Sequence, residues 1–231
     1  MKWRGSNPLE QNAPVASLQQ ELAERRALIE KYVPEETRAL NRRAVEEIRG
    51  SGILTRVLPK GAQAPAFTLP DQDGTDVSSA ALLGKAPLVM VFFRGRWCPF
   101  CVGQLEAMNF ILPQIEQAGA ALVAISPQTV KQCFFMRDQH QLRFPLLSDA
   151  GNQVARRFGL VYRAPDYQQQ LYSRTFVNLP FINGESSWEL PIPATWVIAR
   201  DGTVLYVSAD PDYTQRPEPG EVLLCLRPAR V

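Results

Sequence analysis

The sequence predicts an α/β domain preceded by an N-terminal helical extension. Three observations predict it. Up to Val57 the apolar periodicity is helical, and beyond it strand and helix signals alternate. An apolar run, Pro87 to Phe93, leads through Arg94-Gly-Arg-Trp97 into Cys98-Pro99-Phe100-Cys101 and an amphipathic pattern carrying Leu105, Met108, Ile111, Leu112 and Ile115. Late in the chain, Ala194–Ile198 and Thr203–Val207 flank Asp201-Gly202, a hairpin signature.

Taken in order, residues 1–14 read as irregular. From Val15 to about Val33 a helix sets Leu18, Leu22, Ile29 and Val33 near one face, with Glu21 and Arg25 as a surface pair. Pro34 suits the first turn of a second helix, which carries Leu40, Ala44 and Ile48 and stops at Gly50-Ser51-Gly52. Residues 1–57 are thus expected to form an arm packed on the domain. A homodimer built on this arm is the alternative, against which Arg25 counts because it interrupts the apolar stripe. The domain, residues 58–231, opens with an extended segment from Gly61 to an Asp73-Gly74 turn. After the buried strand and the cysteine helix come a second strand, Ala121–Ile125, and a helix to about Gln141, with Ser126 as its cap and Pro127 in its first turn. Phe144–Asp149 and a short helix from Asn152 to Phe158 follow. Residues 161–190 hold Tyr162, Tyr167, Tyr172, Phe176, Phe181 and Trp188 between turn residues; they read as an insertion over the domain with one helix near Tyr167–Phe176. After the hairpin, Glu218 to about Leu226 forms a last short helix.

Composition narrows the function. With 45% hydrophobic and 21% charged residues, the 231-residue chain has the balance of an ordinary globular protein. A formal charge of +2 is too small to predict nucleic-acid or membrane binding, and no apolar run reaches membrane-spanning length. The first residues lack the apolar segment of a signal peptide, so a cytoplasmic location is expected.

The four cysteines, Cys98, Cys101, Cys133 and Cys225, are too few for a disulfide-stapled fold. Cys98 and Cys101 fall where a buried strand meets the first turn of a helix, with Pro99 between them. There the free amides and macrodipole favour a thiolate, and a partner one turn away can close a disulfide. Half of a zinc site is the second reading, but Cys133 and Cys225 stand alone and His140, the single histidine, has no ligand-spaced neighbour. Two incidental core cysteines are the third reading, and the Trp-Cys-Pro-X-Cys context argues against it. Cys98, at the helix start, is expected to be the more exposed nucleophile. Arg94 and Arg96 are placed to lower its pKa, and Trp97 to shield the pair; solvated arginines on a loop are the plainer reading. Cys133 and Cys225 read as small core residues, and Arg216 falls by default in a surface loop, with a place at the site rim as the alternative.

Trp97-Cys98-Pro99-Phe100-Cys101 after a buried strand resembles a thioredoxin-type active site. The segment Gly61…Ala64-Pro65…Phe67…Leu69…Asp71…Asp73-Gly74 is similar to the opening of the alkyl hydroperoxide reductase/thiol-specific antioxidant (peroxiredoxin) family. Ile192-Pro193-Ala194-Thr195 resembles the loop where thioredoxin-like proteins hold a cis-proline against the dithiol. The resemblance covers about Val57 onward and implies a thioredoxin-like fold, a central mixed sheet flanked by helices. It departs from family patterns in three places. Peroxiredoxins carry a proline and a threonine seven and three residues before the reactive cysteine. Counting back finds Val91 and Gly95 from Cys98, or Arg94 and Cys98 from Cys101. Pro193 stands where family peroxidases have an arginine, and Phe92 where thioredoxins have a buried aspartate.

The resemblance implies a thiol peroxidase whose Cys98 attacks a hydroperoxide and whose Cys101 condenses with it, with a thioredoxin-type reductant and no metal or organic cofactor. Two other readings stand beside it. One is a thiol-disulfide oxidoreductase acting on protein disulfides; the other is a redox-sensing interaction module.

Overall fold

The computed structural model describes residues 17–175 and 177–226. The irregular reading of residues 1–14, the helix start at Val15 and the helix end at Phe176 fall outside them. The arm is two helices, α1 (Leu18–Tyr32) and α2 (Glu35–Gly50). Ser17 and Gln20 close a reciprocal capping box at the start of α1, whose Leu18 and Leu22 are buried. Extended Val33 and Pro34 separate the helices, and α2 buries Ala44 and Ile48.

Strands β1 (Thr68–Pro70) and β2 (Asp76–Ser78) pair antiparallel across the Asp73-Gly74 turn. Gly74 holds a φ of +82° there, a backbone state that suits glycine. Ser78 caps α3 (Ser79–Leu83), and β3 (Leu88–Phe92) then enters the core with all five residues buried. The cysteine helix, α4 (Pro99–Phe110), and α5 (Leu112–Gln117) are separate elements, whereas the sequence pattern suggested one helix through Ile115. The break follows from Pro113, which has no N–H for the Asn109 carbonyl; Arg143 Nη2 donates to that carbonyl instead, at 2.9 Å.

Next come β4 (Ala121–Ser126), α6 (Val130–His140), β5 (Leu146–Ser148) and α7 (Gln153–Arg157). Ser126 does not cap α6 as expected. It is the last ladder residue of β4, opposite Ser148, and its Oγ accepts from the Gln128 N–H, so the helix starts later, after Thr129. In the 161–190 region, β6 (Val161–Arg163) and β7 (Glu189–Pro191) pair antiparallel around α8 (Asp166–Arg174) and α9 (Leu179–Asn183), two helices where one was expected. The chain ends in the hairpin β8 (Ala194–Ile198) and β9 (Val204–Ala209), then α10 (Pro219–Leu226).

The central sheet has the order β5-β4-β3-β8-β9 and is mixed: β3, β4 and β5 run parallel, and β8 is antiparallel to β3 and β9. Alternation along β3 fills both faces, which is why its sequence is an unbroken apolar run. Val89 and Val91 pack with residues of α1, α4, α5 and α6, while Leu88, Met90 and Phe92 join Ile48, Ile53, Phe67, Phe158 and Trp196. The Phe158 and Trp196 rings meet edge-on at 5.0 Å, and Trp196 Nε1 donates to the Leu58 carbonyl. Among the described residues, no helix is long and apolar enough to cross a membrane.

Candidate active site

Phe93, Arg94 and Gly95 carry the chain from β3 to α4. Gly95 has a φ of +150°, and a Cβ there would lie 2.5 Å from the Trp97 ring, so the bend needs a residue without one. Cys98 is the N-cap of α4 and Pro99 its first residue, which places Cys101 at the third helical position. The Cys98 carbonyl accepts from the Cys101 and Val102 amides at 3.0 and 3.1 Å, closing the first turn. Both sulfurs are enclosed: Cys98 is 1% exposed and Cys101 0%. Both thiols are thus enclosed, and exposure does not single out Cys98 as the sequence led us to expect.

Two arginines reach into this enclosure. Arg216, from the loop after β9, places Nη2 3.4 Å from Cys101 Sγ. Its Nη1 donates to the carbonyls of Tyr213 and Gln215, at 2.7 and 2.6 Å, which locks the side chain. Arg94 is 2% exposed, with its guanidinium 4.6 Å from the Trp97 ring and 4.4 Å from the Tyr213 ring, and it donates to the Tyr172 hydroxyl.

These surroundings push the thiols apart. Burial raises Cys101, but the Cys98 thiol, the Arg216 and Arg94 guanidiniums and the Arg94 backbone outweigh it and hold Cys101 at about 5. Cys98 is pushed well above the usual thiol range, by burial first and then by its neighbour Cys101. The surroundings therefore favour a thiolate on Cys101 over one on Cys98, a turn away. That is the pairing a nucleophile and its resolving partner need.

Sequence comparison supplies the family. The profile described as the AhpC/TSA family matches residues 60–207. The chain belongs to that family. A Mycobacterium tuberculosis protein carrying the name peroxiredoxin is 32% identical over 151 residues, 65% of this chain and 84% of that protein. Chloroplastic peroxiredoxin Q of Triticum aestivum is 34% identical over 110 residues, 48% of this chain and 50% of that protein. Among solved structures, peroxidoxin BcpB of Mycobacterium tuberculosis superposes with a TM-score of 0.59 at 25% identity, over 75% of this chain and 99% of that one. Peroxiredoxin Q of Xanthomonas campestris gives 0.53 at 20% identity, over 69% and 89%, a likeness of fold. The fold is thioredoxin-like, and the enzyme class is a thiol-dependent peroxidase, with a hydroperoxide as substrate and a thiol as reductant.

Within this AhpC/TSA chain the other expected site residues divide. Trp97 is half-buried, its ring 5.2 Å from that of Tyr172. Arg96 is exposed and turns away: its N–H donates to Gln128 Oε1 at 2.6 Å and its Nε to Gln132 Oε1 at 2.8 Å, on the α6 side. Thr195 is buried and accepts from Gln104 Nε2 at 3.0 Å, one helical turn beyond Cys101. Pro193 is buried, and its peptide bond is trans, as is every other among the described residues, so the cis-proline resemblance is not met. Pro193 and Thr195 line a cleft of about 230 Å³ with Gln104, Asp210, Arg216 and Glu221.

Cys133 is buried in α6, where burial pushes its thiol up to about 12 despite a contact with the Gln128 carbonyl. Cys225 lies on α10 and is also raised by burial. Neither environment favours a thiolate. His140 Nδ1 sits 3.0 Å from Glu106, and the described residues hold no group of three or more metal-ligating side chains. Sequence reasoning under-weighted Arg216. Its one signal is the aromatic beside it, Tyr213, in a loop otherwise rich in charge and proline.

Proposed function

We propose that this chain reduces hydroperoxides through the Cys98–Cys101 dithiol, with Cys101 as the nucleophile and Cys98 as its resolving partner. The observation carrying this reading is the Arg216 guanidinium 3.4 Å from Cys101 Sγ, inside the first turn of α4. The Cys101 thiolate attacks the terminal peroxide oxygen; the S–O bond forms as the O–O bond breaks, and the departing alkoxide takes up a proton and leaves as water or an alcohol. Arg216 and Arg94 offset the negative charge spread over sulfur and oxygen in that step. The resulting sulfenic acid condenses with the Cys98 thiol, forming the disulfide and releasing one water. A thioredoxin-type dithiol then returns two electrons and two protons.

The role order reverses the one expected from sequence, for an electrostatic reason. Cys98 lies at the N-cap, but the locked guanidinium faces Cys101. Stopped-flow mixing of the reduced protein with hydrogen peroxide tests the proposal. Thiol loss far faster than for free cysteine is expected. Loss at the free-cysteine rate, with activity in an insulin-reduction assay, would replace the peroxidase by the oxidoreductase.

A further inference from the structure

The 161–190 insertion does more than decorate the domain: it covers the dithiol. Tyr172, on α8, is 6% exposed, meets the Trp97 ring at 5.2 Å with a tilt of 60° and takes a hydrogen bond from Arg94. On the far side of that guanidinium lies Tyr213, whose ring meets Phe100 at 5.7 Å. Trp97, Tyr172, Arg94, Tyr213 and Phe100 thus form one continuous layer over the start of α4. Tyr162, on β6, lies close enough to both cysteines and to Arg94 to feel their charge.

The cover is anchored at several points. The β6–β7 ladder closes its base through Val161–Pro191, Tyr162–Leu190 and Arg163–Glu189. Ala164, Tyr172, Leu179 and Leu190 give it a small core of its own. The Tyr167 hydroxyl donates to Glu47 Oε2 on the arm at 3.0 Å, and Arg43 stacks on the same ring at 4.4 Å. The Thr129 N–H donates to the Ile182 carbonyl at 3.1 Å. A segment held at its base, its tip and its flank is a fixed wall, and opening it widely would break several of these contacts together.

A hydroperoxide reacts only when its terminal oxygen comes within about 3–3.5 Å of the sulfur. Hydrogen peroxide is close to water in size and passes through gaps that side-chain fluctuation opens. Tyr172 is buried against Trp97 and Arg94, so an aryl hydroperoxide approaching the dithiol from this face would have to displace its ring. We infer that the insertion, through Tyr172, sets the substrate limit of this site, admitting hydrogen peroxide and small hydroperoxides and excluding bulky ones. The inference rests on the peroxidase reading above and names the substrate class within it.

The test measures second-order rate constants for oxidation of the reduced full chain by hydrogen peroxide and by cumene hydroperoxide. The readout is their ratio in the unsubstituted protein, in Tyr172→Ala and in Tyr172→Phe. The unsubstituted protein is expected to prefer hydrogen peroxide by about tenfold or more, the range that a filled pocket imposes. Tyr172→Ala should shift the ratio toward cumene hydroperoxide by about tenfold. Tyr172→Phe keeps the ring and should retain the original ratio within about twofold, a rescue that a loss of the hydroxyl contact alone would not give. Equal rates for the two peroxides in the unsubstituted protein would overturn the inference, whatever the variants do. An unchanged ratio in Tyr172→Ala would also overturn it and move the route to the cleft beside Arg216. Reaction with neither peroxide would remove the peroxidase reading itself, a result distinct from both.

Discussion

Arg216 Nη2 lies 3.4 Å from Cys101 Sγ although 115 residues separate the two in sequence. The contact joins the loop after the last strand to the first turn of the cysteine helix. With the Cys98 thiol and Arg94, it favours ionisation of Cys101. Because Arg216 and Arg94 help to hold Cys101 at about 5, the thiolate is present from mildly acidic pH upward. The rate of peroxide consumption should rise through about pH 5 and stay flat across neutrality. Arg216→Met removes the nearer cation and leaves Arg94 in place, so the midpoint should move up toward the ordinary thiol value. At pH 6 the variant should react about tenfold more slowly or worse, narrowing toward pH 9. Thiolate absorbance at about 240 nm, followed against pH, measures the same shift without peroxide. Superimposable profiles would mean that Arg216 does not tune Cys101.

The order of attack is separable by substitution. Cys101→Ser should abolish fast peroxide reaction, leaving Cys98 as a thiol that burial keeps protonated. Cys98→Ser should still react once and stop at a sulfenic acid on Cys101, which dimedone traps as a mass increment. The reverse pattern, with trapping on Cys98 in the Cys101→Ser protein, would restore the order expected from the sequence.

Much of the fold was legible because it follows from periodicity. The unbroken apolar run Leu88–Phe92 had to be covered on both faces, and the Asp201-Gly202 pair had to turn a hairpin. The dithiol was legible for the same local reason, two cysteines flanking a helix start. What stayed hidden depends on contacts distant in sequence. The charge and proline around Arg216 look like a solvated loop, and only the return of the chain past β9 buries it at 6% exposure. Tyr172 lies in a stretch of scattered aromatics, and its role depends on α8 lying across Arg94. Pro113 and Ser126 show a smaller failure: each allowed two local outcomes, and ladder pairing or carbonyl rescue by Arg143 decided between them.

The lowered Cys101 thiol also links pH to stability. Its ordinary value is 9.0 and its folded value about 5, so between these the unfolded chain binds a proton that the native state does not. Stability from this group is therefore fully present above pH 9 and is lost as pH falls toward 5. Cys98, raised by folding, is protonated in both states well below its ordinary value of 9.0 and opposes the slope only as pH approaches that value. Relative to Cys101→Ser, the reduced protein should gain stability with rising pH by up to about 1.4 kcal/mol per pH unit in this window. Urea unfolding at pH 5.5, 7 and 8.5 with a phosphine reductant measures it. Parallel pH dependences in the two proteins would contradict a low thiol pKa.

Arg25 ties the arm to the first turn of the cysteine helix, which makes its importance measurable. Arg25 Nη1 donates to the Pro99 carbonyl, and Nη2 reaches Glu106 Oε2 at 3.2 Å. The guanidinium lies against Gly103, where a Cβ would overlap it. The residue that interrupts the apolar stripe of α1 is thus the one that grips α4. Gly103→Ala should push the guanidinium off the carbonyl and cost about 1–2 kcal/mol, because a mostly buried charged hydrogen bond is lost. Arg25→Ala should cost a similar amount. Once the arginine is gone the methyl has room, and alanine in place of glycine favours a helix by about 1 kcal/mol. Gly103→Ala should therefore destabilise the unsubstituted chain yet stabilise the Arg25→Ala chain. Urea unfolding of the four proteins closes the cycle, and additive effects would show that Arg25 and Gly103 do not share this contact.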